Sequence, residues 1–543
     1  MNKEQQPKVV INHAVFWPPL IVLVVAIGIS LYDLKTFGDL LTGSYVWLSQ
    51  ATSWLFQLTC FLAVCLLIAL LVGSAGKIKL GGQDAKPQYT TWQWFSMILC
   101  GGIGTGIVFF GVAEPMMHFS NPAPLSGTTA FTQEAAVWGM SETFLHWALT
   151  PYALYTVFGV GIALAHFNYG YGLKVSSGFT FIFGRHLSGP LSNFIDLLCV
   201  LALSGGLAVS LGTGILQVGR GLEYVFGLPV SAGVWAVTTV AVAFFYTFSS
   251  YIGLDKGLKF LASQNAKIFI IMLFFVLLAG PTIFILNMGV QSFGEYIWKF
   301  IPKSLVTNPM TGAEDTYVTW WDIFFWAVWV AYGPIMGLFL ARISKGRTIR
   351  GFVMANLTGP ALFGVIWFTV FGGAGIYSEV FENSGLAASI GEKGLEVAIF
   401  SFFANFPLGS ILNPIFLLLI VLSFVTLADP MTSAISSSCC KLPDNYSGEP
   451  PQAMKLTWGI SIGAISLVGI IFAGLDGIRM LSVLFGFPAL LLTILMMIST
   501  IKGAWFGTEA WCSEKRGWFP GLTPKYLDKS TTMEVTPVSG KAA

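Results

Sequence analysis

The sequence predicts an all-α polytopic membrane protein with 12 transmembrane helices. Of its 543 residues, 55% are hydrophobic and 10% are charged, and the mean hydropathy is +0.75. Soluble domains carry about 25% charged residues, so this composition excludes a soluble protein with a single membrane anchor. The net charge of +2 excludes a generally basic nucleic-acid binder. The seven cysteines have no regular spacing, so they argue neither for a disulfide framework nor for a metal site.

Twelve apolar runs provide the predicted crossings, because a helix needs about 20 apolar residues to cross a hydrocarbon core of roughly 30 Å. Very little charge lies between the ends of each run. The alternative is that some runs are buried helices of a soluble fold, but this accounts poorly for twelve apolar runs with so little charge. The predicted spans are 15–33, 54–73, 92–113, 137–166, 193–219, 230–251, 265–288, 320–341, 350–377, 409–434, 454–474 and 478–501.

The spans fall into two leading helices and two groups of five. Five-helix inverted repeats place a binding site near the middle of the bilayer, where discontinuous helices meet. Two further stretches, 292–305 and 386–406, mix aromatic with charged residues and are predicted to lie on the outer surface. The predicted layout is an N-terminal tail (1–14), two leading helices (15–91), a first repeat (92–288), an outside amphipathic segment (289–319), a second repeat (320–501) and a C-terminal tail (502–543).

The positions of lysine and arginine predict the orientation of the chain. With the N-terminus inside, 21 of the 28 basic residues fall in cytoplasmic segments and tails, and six fall outside. Lys267, within the seventh span, is the remaining one. Both termini are therefore predicted to be cytoplasmic.

Glycines interrupt the third span at membrane depth. Four glycines occur between Gly101 and Gly106, and each weakens a helix by about 1 kcal/mol. Freed backbone groups are tolerated at that depth where they line a cavity or contact protein, so an unwound, substrate-facing stretch is one interpretation. Close helix packing through small residues is the other. A second break is predicted at 426–430, which contains Thr426, Asp429 and Pro430.

Two aromatic stripes accompany the glycine-rich span. Trp147, Tyr152 and Tyr155 share roughly one face of the fourth span, and the eighth span carries Trp326, Trp329 and Tyr332. Aromatic stripes often serve packing alone. Beside a broken helix, however, two of them predict a box for a quaternary ammonium group, which is attracted to ring faces. The free amides of Gly102, Gly104 and Gly106 are predicted to hold a carboxylate on the same ligand.

Three stretches resemble the betaine/choline/carnitine transporter family. The run 102–115 reads GIGTGIVFFGVAEP and is similar to the family's glycine-rich helix and its Glu-Pro exit. His146, Trp147, Pro151 and Tyr155 have the spacing of its fourth helix. The run 339–350, FLARISKGRTIR, resembles the cytoplasmic end of its eighth helix and is the most specific match. The resemblance spans about residues 10 to 505.

The resemblance implies a LeuT-like five-plus-five inverted repeat, a homotrimer and the inner membrane of a prokaryote. Within the family, sodium symporters place hydroxyl residues on the fifth helix, where this chain has Leu203 and Leu207. Sodium-independent carnitine/γ-butyrobetaine antiporters carry a methionine at an ion-site position, matched here by Met336. Those antiporters also use an arginine as a cation surrogate, at a position that corresponds to Asn265, with Lys267 two residues on.

The sodium symporters also place hydroxyl residues on the tenth helix, where Thr426 keeps a hydroxyl but Leu427 follows in place of a second one. Other positions depart from the antiporter pattern. Val328 and Tyr152 replace tryptophans of the aromatic box, and Met117 replaces a tyrosine near its entrance. These changes argue against carnitine, whereas a smaller betaine-type compound still fits.

The sequence therefore predicts a secondary active transporter of a small zwitterionic quaternary ammonium compound, working as a sodium-independent substrate/product antiporter. A sodium-coupled glycine betaine or choline symporter is the alternative, so Na⁺ coupling stays open although no cofactor or metal is predicted. An ion channel would need a polar lining that the spans lack. An enzyme would need clustered histidine or acidic ligands, whereas the five histidines are scattered along the sequence.

Overall fold

A computed structural model shows that the chain is almost entirely helical. It describes residues 9–102, 106–184, 187, 189–252, 255–310, 316–441 and 450–506. The α-helices in these ranges are α1 (His13–Tyr32), α2 (Leu34–Val72), α3 (Thr91–Gly102), α4 (Gly106–Ser120), α5 (Gln133–Trp147), α6 (Leu149–Ala163), α7 (Thr180–Phe183), α8 (Gly189–Phe226), α9 (Ala232–Ile252), α10 (Asp255–Ala279), α11 (Thr282–Ser304), α12 (Phe324–Ile343), α13 (Ile349–Phe381), α14 (Leu386–Lys393), α15 (Ala398–Ala404), α16 (Gly409–Ser438) and α17 (Gln452–Ile501).

Short elements extend these helices. A π-helical turn, Leu164–Asn168, continues α6, and another, Thr319–Ile323, leads into α12. The strands β1 (Val10–Ile11) and β2 (Cys440–Lys441) pair antiparallel, which ties the N-terminal segment to the end of α16.

Several helices are suited to a bilayer. Judged by length and composition within the described ranges, seven helical stretches can cross a membrane, and the bent pair α10–α11 makes eight if it counts as one span. The stretch that contains α17 has non-helical backbone at Ala473 and Gly474, close to the predicted boundary between 454–474 and 478–501. The chain is therefore a helical protein with many apolar helices, consistent with a polytopic membrane protein.

The seventh predicted span ends earlier than expected. Ser263–Ala279 and Thr282–Ser304 meet at an angle of 107°, so 282–288 belongs to α11 rather than to a span reaching residue 288. Gly280 and Pro281 cause this break, because glycine is flexible and proline has no N–H to continue the helical hydrogen bonds. One side of α11 is exposed at Val290 and Trp298, whereas Tyr296 and Lys303 are buried.

The helix break predicted at 426–430 is not found. The backbone of α16 is helical from Gly409 to Ser438, through Pro430. Proline removes one hydrogen bond from a helix interior, and here the contacts of α16 with α8 and α10 hold the helix together. The side chains of Thr426 and Asp429 lie outside the described residues.

Glycines allow close packing between α8 and its neighbours. Gly205 contacts the ring of Phe485 on α17, and Gly214 contacts the ring of Phe424 on α16, so closely that a Cβ atom at either position would overlap those rings. These two glycines therefore serve helix packing. The helix α8 also packs against α12, which carries part of the candidate site.

Candidate functional site

A chain of buried aromatic rings connects α5, α6 and α12. The rings of Trp147 and Trp329 meet edge to face, with centroids 5.1 Å apart. Tyr155 lies 6.1 Å from Trp329, and Tyr152 lies 6.2 Å from Tyr155. All four side chains are less than 10% exposed. The structure thus brings together four of the six aromatic residues predicted for the box.

Backbone breaks place Trp147 at the centre of this site. Trp147 is the last residue of α5, and α6 begins after the non-helical Ala148. Gly106, the first residue of α4, lies against the same ring, since a Cβ atom there would be 2.7 Å from Trp147 Cη2. Gly106 of α4 therefore lies in contact with Trp147, and a larger side chain at this position would require the indole to move.

Hydrogen bonds fix the orientation of both indoles. Trp147 Nε1 donates to Glu114 Oε2 at 2.7 Å, and Trp329 Nε1 donates to the carbonyl of His146 at 3.0 Å. Phe110, Phe325 and Phe368 pack around Trp147 with centroids 5.2–5.8 Å away. The rings of the site are consequently held in place before any ligand enters.

The tyrosines of the site differ in the hydrogen bonds that their hydroxyl groups form. Tyr332 is bonded through its hydroxyl to Ser210 Oγ (2.8 Å) and to the carbonyl of Gly206 (3.1 Å), which anchors α12 to α8. Within the described part of the chain, the hydroxyls of Tyr152 and Tyr155 form no hydrogen bond. Those two hydroxyls are therefore free to bind a polar group of a ligand.

Trp326 lies outside the ring chain. Its ring packs edge to face on His146 at 5.6 Å, and its Nε1 donates to Gln57 Oε1 at 2.7 Å. Helical periodicity alone predicts Trp326 and Trp329 on one helix face. In the structure, Trp326 follows the π-helical turn and is hydrogen-bonded to Gln57, so it lies beside a cluster of polar side chains instead.

This polar cluster, formed by Glu114, His118, Glu142, His146, Lys303 and Asp322, was not predicted from the sequence. His146 Nδ1 lies 2.7 Å from Glu114 Oε1, and its Nε2 lies 3.1 Å from Asp322 Oδ1. His118 Nε2 lies 3.5 Å from Glu114 Oε1. The prediction that the histidines are scattered is thus wrong for His118 and His146, whose rings lie 5.9 Å apart. The spacing of Glu114 and His118, four residues apart on a helix, was the available signal.

Lys303 completes the cluster from α11. Its Nζ lies 2.9 Å from Glu142 Oε2, and it also donates to the carbonyl of Trp138 and lies over the Trp138 ring. Glu142 thus forms an interhelical ion pair with a lysine that follows it by more than 150 residues.

We expect Lys303→Met to lower the free energy of unfolding by about 3–5 kcal/mol, because Glu142 would remain charged and buried without its partner. Thermal unfolding in detergent measures this effect. The double variant Lys303→Met/Glu142→Gln should recover most of the loss. A double variant as unstable as the single one would show that the ion pair is not the cause.

The residues predicted for ion coupling are dispersed. Met336 is buried on α12, and Asn265 is buried on α10, where its Nδ2 donates to Ser423 Oγ at 2.8 Å. Lys267 is exposed, which fits a lysine extending toward the membrane surface better than a buried charge. The side chain of Thr426 lies outside the described residues.

The remaining predicted residues lie around the glycine-rich stretch. Gly102 lies in α3 and Gly106 in α4, whereas Gly104 belongs to residues 103–105, which lie outside the described residues. Met117 is half-buried on α4, one residue before His118.

Two groups in the polar cluster have donor atoms near enough to hold a metal ion, namely Glu114 with His118 and His146, and Glu142 with His146 and Asp322. In both groups His146 is already at hydrogen-bond distance from a carboxylate. The geometry is therefore that of a hydrogen-bonded cluster.

A known protein family matches most of the chain. The family model described as BCCT, betaine/carnitine/choline family transporter, matches residues 14–507. The chain belongs to this transporter family. The match includes every helix that contributes to the ring chain.

Bacterial relatives cover nearly the whole chain. An ectoine/hydroxyectoine transporter of Virgibacillus pantothenticus is 34% identical over 91% of this chain and 96% of its own length. The glycine betaine transporter OpuD of Bacillus subtilis is 30% identical over 90% of this chain and 93% of its own. The high-affinity choline transport protein of Escherichia coli K12 is 30% identical over 91% of this chain and 72% of its own length.

Proposed function

We propose that the protein is a secondary active transporter of a small zwitterionic quaternary ammonium compound of the betaine type. The observation that carries this proposal is the buried ring chain of Trp147, Trp329, Tyr155 and Tyr152. A quaternary ammonium has no N–H to donate, so ring faces are its natural partners, and each contributes about 0.5–2 kcal/mol.

A carboxylate on the same molecule has suitable partners nearby. The predicted partners of the carboxylate are the backbone amides of the glycine-rich stretch, whose Gly106 lies against the Trp147 ring. The free hydroxyls of Tyr152 and Tyr155 are further donors. Both ends of a betaine would thus be bound within one buried site.

Our proposal for the transport mode is sodium-independent exchange of substrate for product. Leu203 and Leu207 are buried on α8 and offer no oxygen to an ion that needs about six oxygen ligands. Met336 is buried at the methionine position of the antiporters. Sodium symport is the alternative, and the pair of Asn265 and Ser423 supports it, since this pair provides two oxygen-bearing side chains on facing helices.

For the topology we propose twelve crossings with both termini in the cytoplasm of a bacterial cell. The helices overlap all twelve apolar runs, with the seventh crossing shortened to end at Ala279. The five-plus-five repeat and a trimer in the plasma membrane complete the proposal and rest on the family.

Ectoine-type zwitterions are a second candidate class. The relative from Virgibacillus pantothenticus is an ectoine/hydroxyectoine transporter. Such a cation carries N–H groups, and the free hydroxyls of Tyr152 and Tyr155 can accept hydrogen bonds from them.

Counterflow into proteoliposomes tests the proposal. Vesicles preloaded with one unlabelled compound are offered its labelled form, across glycine betaine, carnitine, γ-butyrobetaine, choline and ectoine, in sodium or in potassium buffer. We expect saturable counterflow of at least one trimethylammonium compound in both buffers. A strict sodium requirement would contradict the exchange mode, and counterflow of ectoine alone would select the second class.

A further inference from the structure

The imidazole of His146 lies between two buried carboxylates. Its Nδ1 is 2.7 Å from Glu114 Oε1, and its Nε2 is 3.1 Å from Asp322 Oδ1. All three side chains are almost completely buried. We call these three residues the triad.

The geometry of the triad requires an extra proton. A neutral imidazole has one N–H and one lone pair, whereas an ionised carboxylate accepts hydrogen bonds and donates none. With both carboxylates ionised, a neutral ring would direct its lone pair at a carboxylate oxygen. The observed contacts are therefore satisfied when the ring is an imidazolium or when one carboxylate is protonated.

The charges around the triad favour this proton. From α4, α5 and α11 the triad faces His118, Glu142 and Lys303, and the buried Arg479 of α17 pairs with Asp476 and lies over the Trp321 ring. Three carboxylates thus face one lysine, and the excess negative charge in a poorly solvated region decreases with each proton bound.

The triad is also bonded to the aromatic rings. Glu114 accepts the hydrogen bond from Trp147, and the backbone of His146 accepts that from Trp329. Asp322 accepts a bond from Gln57, which in turn holds Trp326. A change of charge on Glu114 consequently acts directly on the Trp147 indole, which packs against Trp329.

We propose that Glu114, His146 and Asp322 form a proton-binding site whose occupancy is linked to substrate binding at the aromatic rings. This inference rests on the proposed function, because the linkage needs a substrate in that site. His118 Nε2 lies 3.5 Å from Glu114 Oε1 and has no hydrogen-bond partner among the described residues. It can accept a proton from the triad in the tautomer whose Nδ1–H donates to the Tyr317 hydroxyl, 2.6 Å away.

The experiment measures protons exchanged on binding. Purified full-length protein in weakly buffered detergent solution, with a pH indicator and EDTA, receives glycine betaine or whichever panel compound shows counterflow. Tryptophan fluorescence reports binding in the same sample. We expect a change in bound protons on saturation and an apparent affinity that changes by up to about tenfold per pH unit.

Glu114→Gln is the informative variant. A glutamine amide can accept the Trp147 bond and donate to His146 Nδ1, which leaves a neutral ring with its single N–H on Asp322. Hydrogen bonding is preserved and the need for the extra proton disappears. We expect the affinity of this variant, whatever its absolute value, to be the same at pH 6 and pH 8, with no protons exchanged. His166→Gln is the control, because His166 binds the carbonyl of Tyr171 away from the triad and its variant should behave like the parent.

The results separate the two proposals. Substrate binding without proton exchange, or exchange that persists in Glu114→Gln, would overturn the proton site and leave the proposed function intact. Absence of binding and counterflow for the whole panel would remove the proposed function and the proton site together. Proton exchange that occurs only when zinc replaces EDTA would indicate a metal site and overturn the proposal.

Discussion

Trp329→Leu is expected to raise the half-saturation concentration for transport at least about tenfold. The Trp329 ring contacts both Trp147 and Tyr155, so its loss removes the aromatic contact that connects these two residues. A buried contact between a ring and a cation contributes about 2 kcal/mol, and 1.4 kcal/mol corresponds to a factor of ten. Initial rates of counterflow over a range of substrate concentrations measure this effect.

Two variants make the Trp329 result specific. Trp329→Phe keeps a ring face and should lose less affinity than Trp329→Leu. Trp298→Leu makes the same chemical change on the exposed side of α11 and should leave the half-saturation concentration unchanged. An unchanged value for Trp329→Leu would exclude that residue from the substrate site.

Gly106→Ala should impair substrate binding by displacing a ring. The added methyl group would lie 2.7 Å from Trp147 Cη2, so the indole has to move away from Trp329 or lose its bond to Glu114. Alanine itself favours helix formation by about 1 kcal/mol over glycine, so the variant should fold. We expect a rise of about tenfold or more in the half-saturation concentration, with normal expression.

Gly43→Ala provides the matched control for this prediction. Gly43 is an exposed glycine of α2 with no atom within 4 Å of an added Cβ, and its variant should transport normally. Equal half-saturation values for Gly106→Ala and Gly43→Ala would mean that the contact between Gly106 and Trp147 has no role in binding.

Much of the fold could be predicted because apolar runs of membrane length are a strong and local signal. The runs at 15–33 and 350–377, for example, coincide with α1 and α13 to within a few residues. The bend after Ala279 was missed because hydropathy continues through Gly280 and Pro281, although those two residues were the available signal. Conversely, Pro430 suggested a break where packing keeps α16 helical.

The candidate site was predictable only in its apolar part. The structure brings the rings of Trp147, Tyr155 and Trp329 together. Trp147 ends α5, however, and the break at Ala148 separates it from Tyr155 on α6, so the two do not belong to one continuous helix. The triad could not be found in this way, because Glu114, His146 and Asp322 come from three elements that are distant in sequence. Single polar residues in apolar spans carry no information about their partners, even though their burial cost implies that partners exist.

The attraction between ring faces and a positive charge can be measured with two ligands of the same shape. Glycine betaine and 3,3-dimethylbutyrate differ in that a neutral carbon replaces the quaternary nitrogen, so shape and carboxylate are kept while the cation is lost. If the rings of Trp147, Trp329 and Tyr155 bind the cation, glycine betaine should compete for the site at least about tenfold more strongly. Equal competition by the neutral compound would contradict recognition of a cation by these rings.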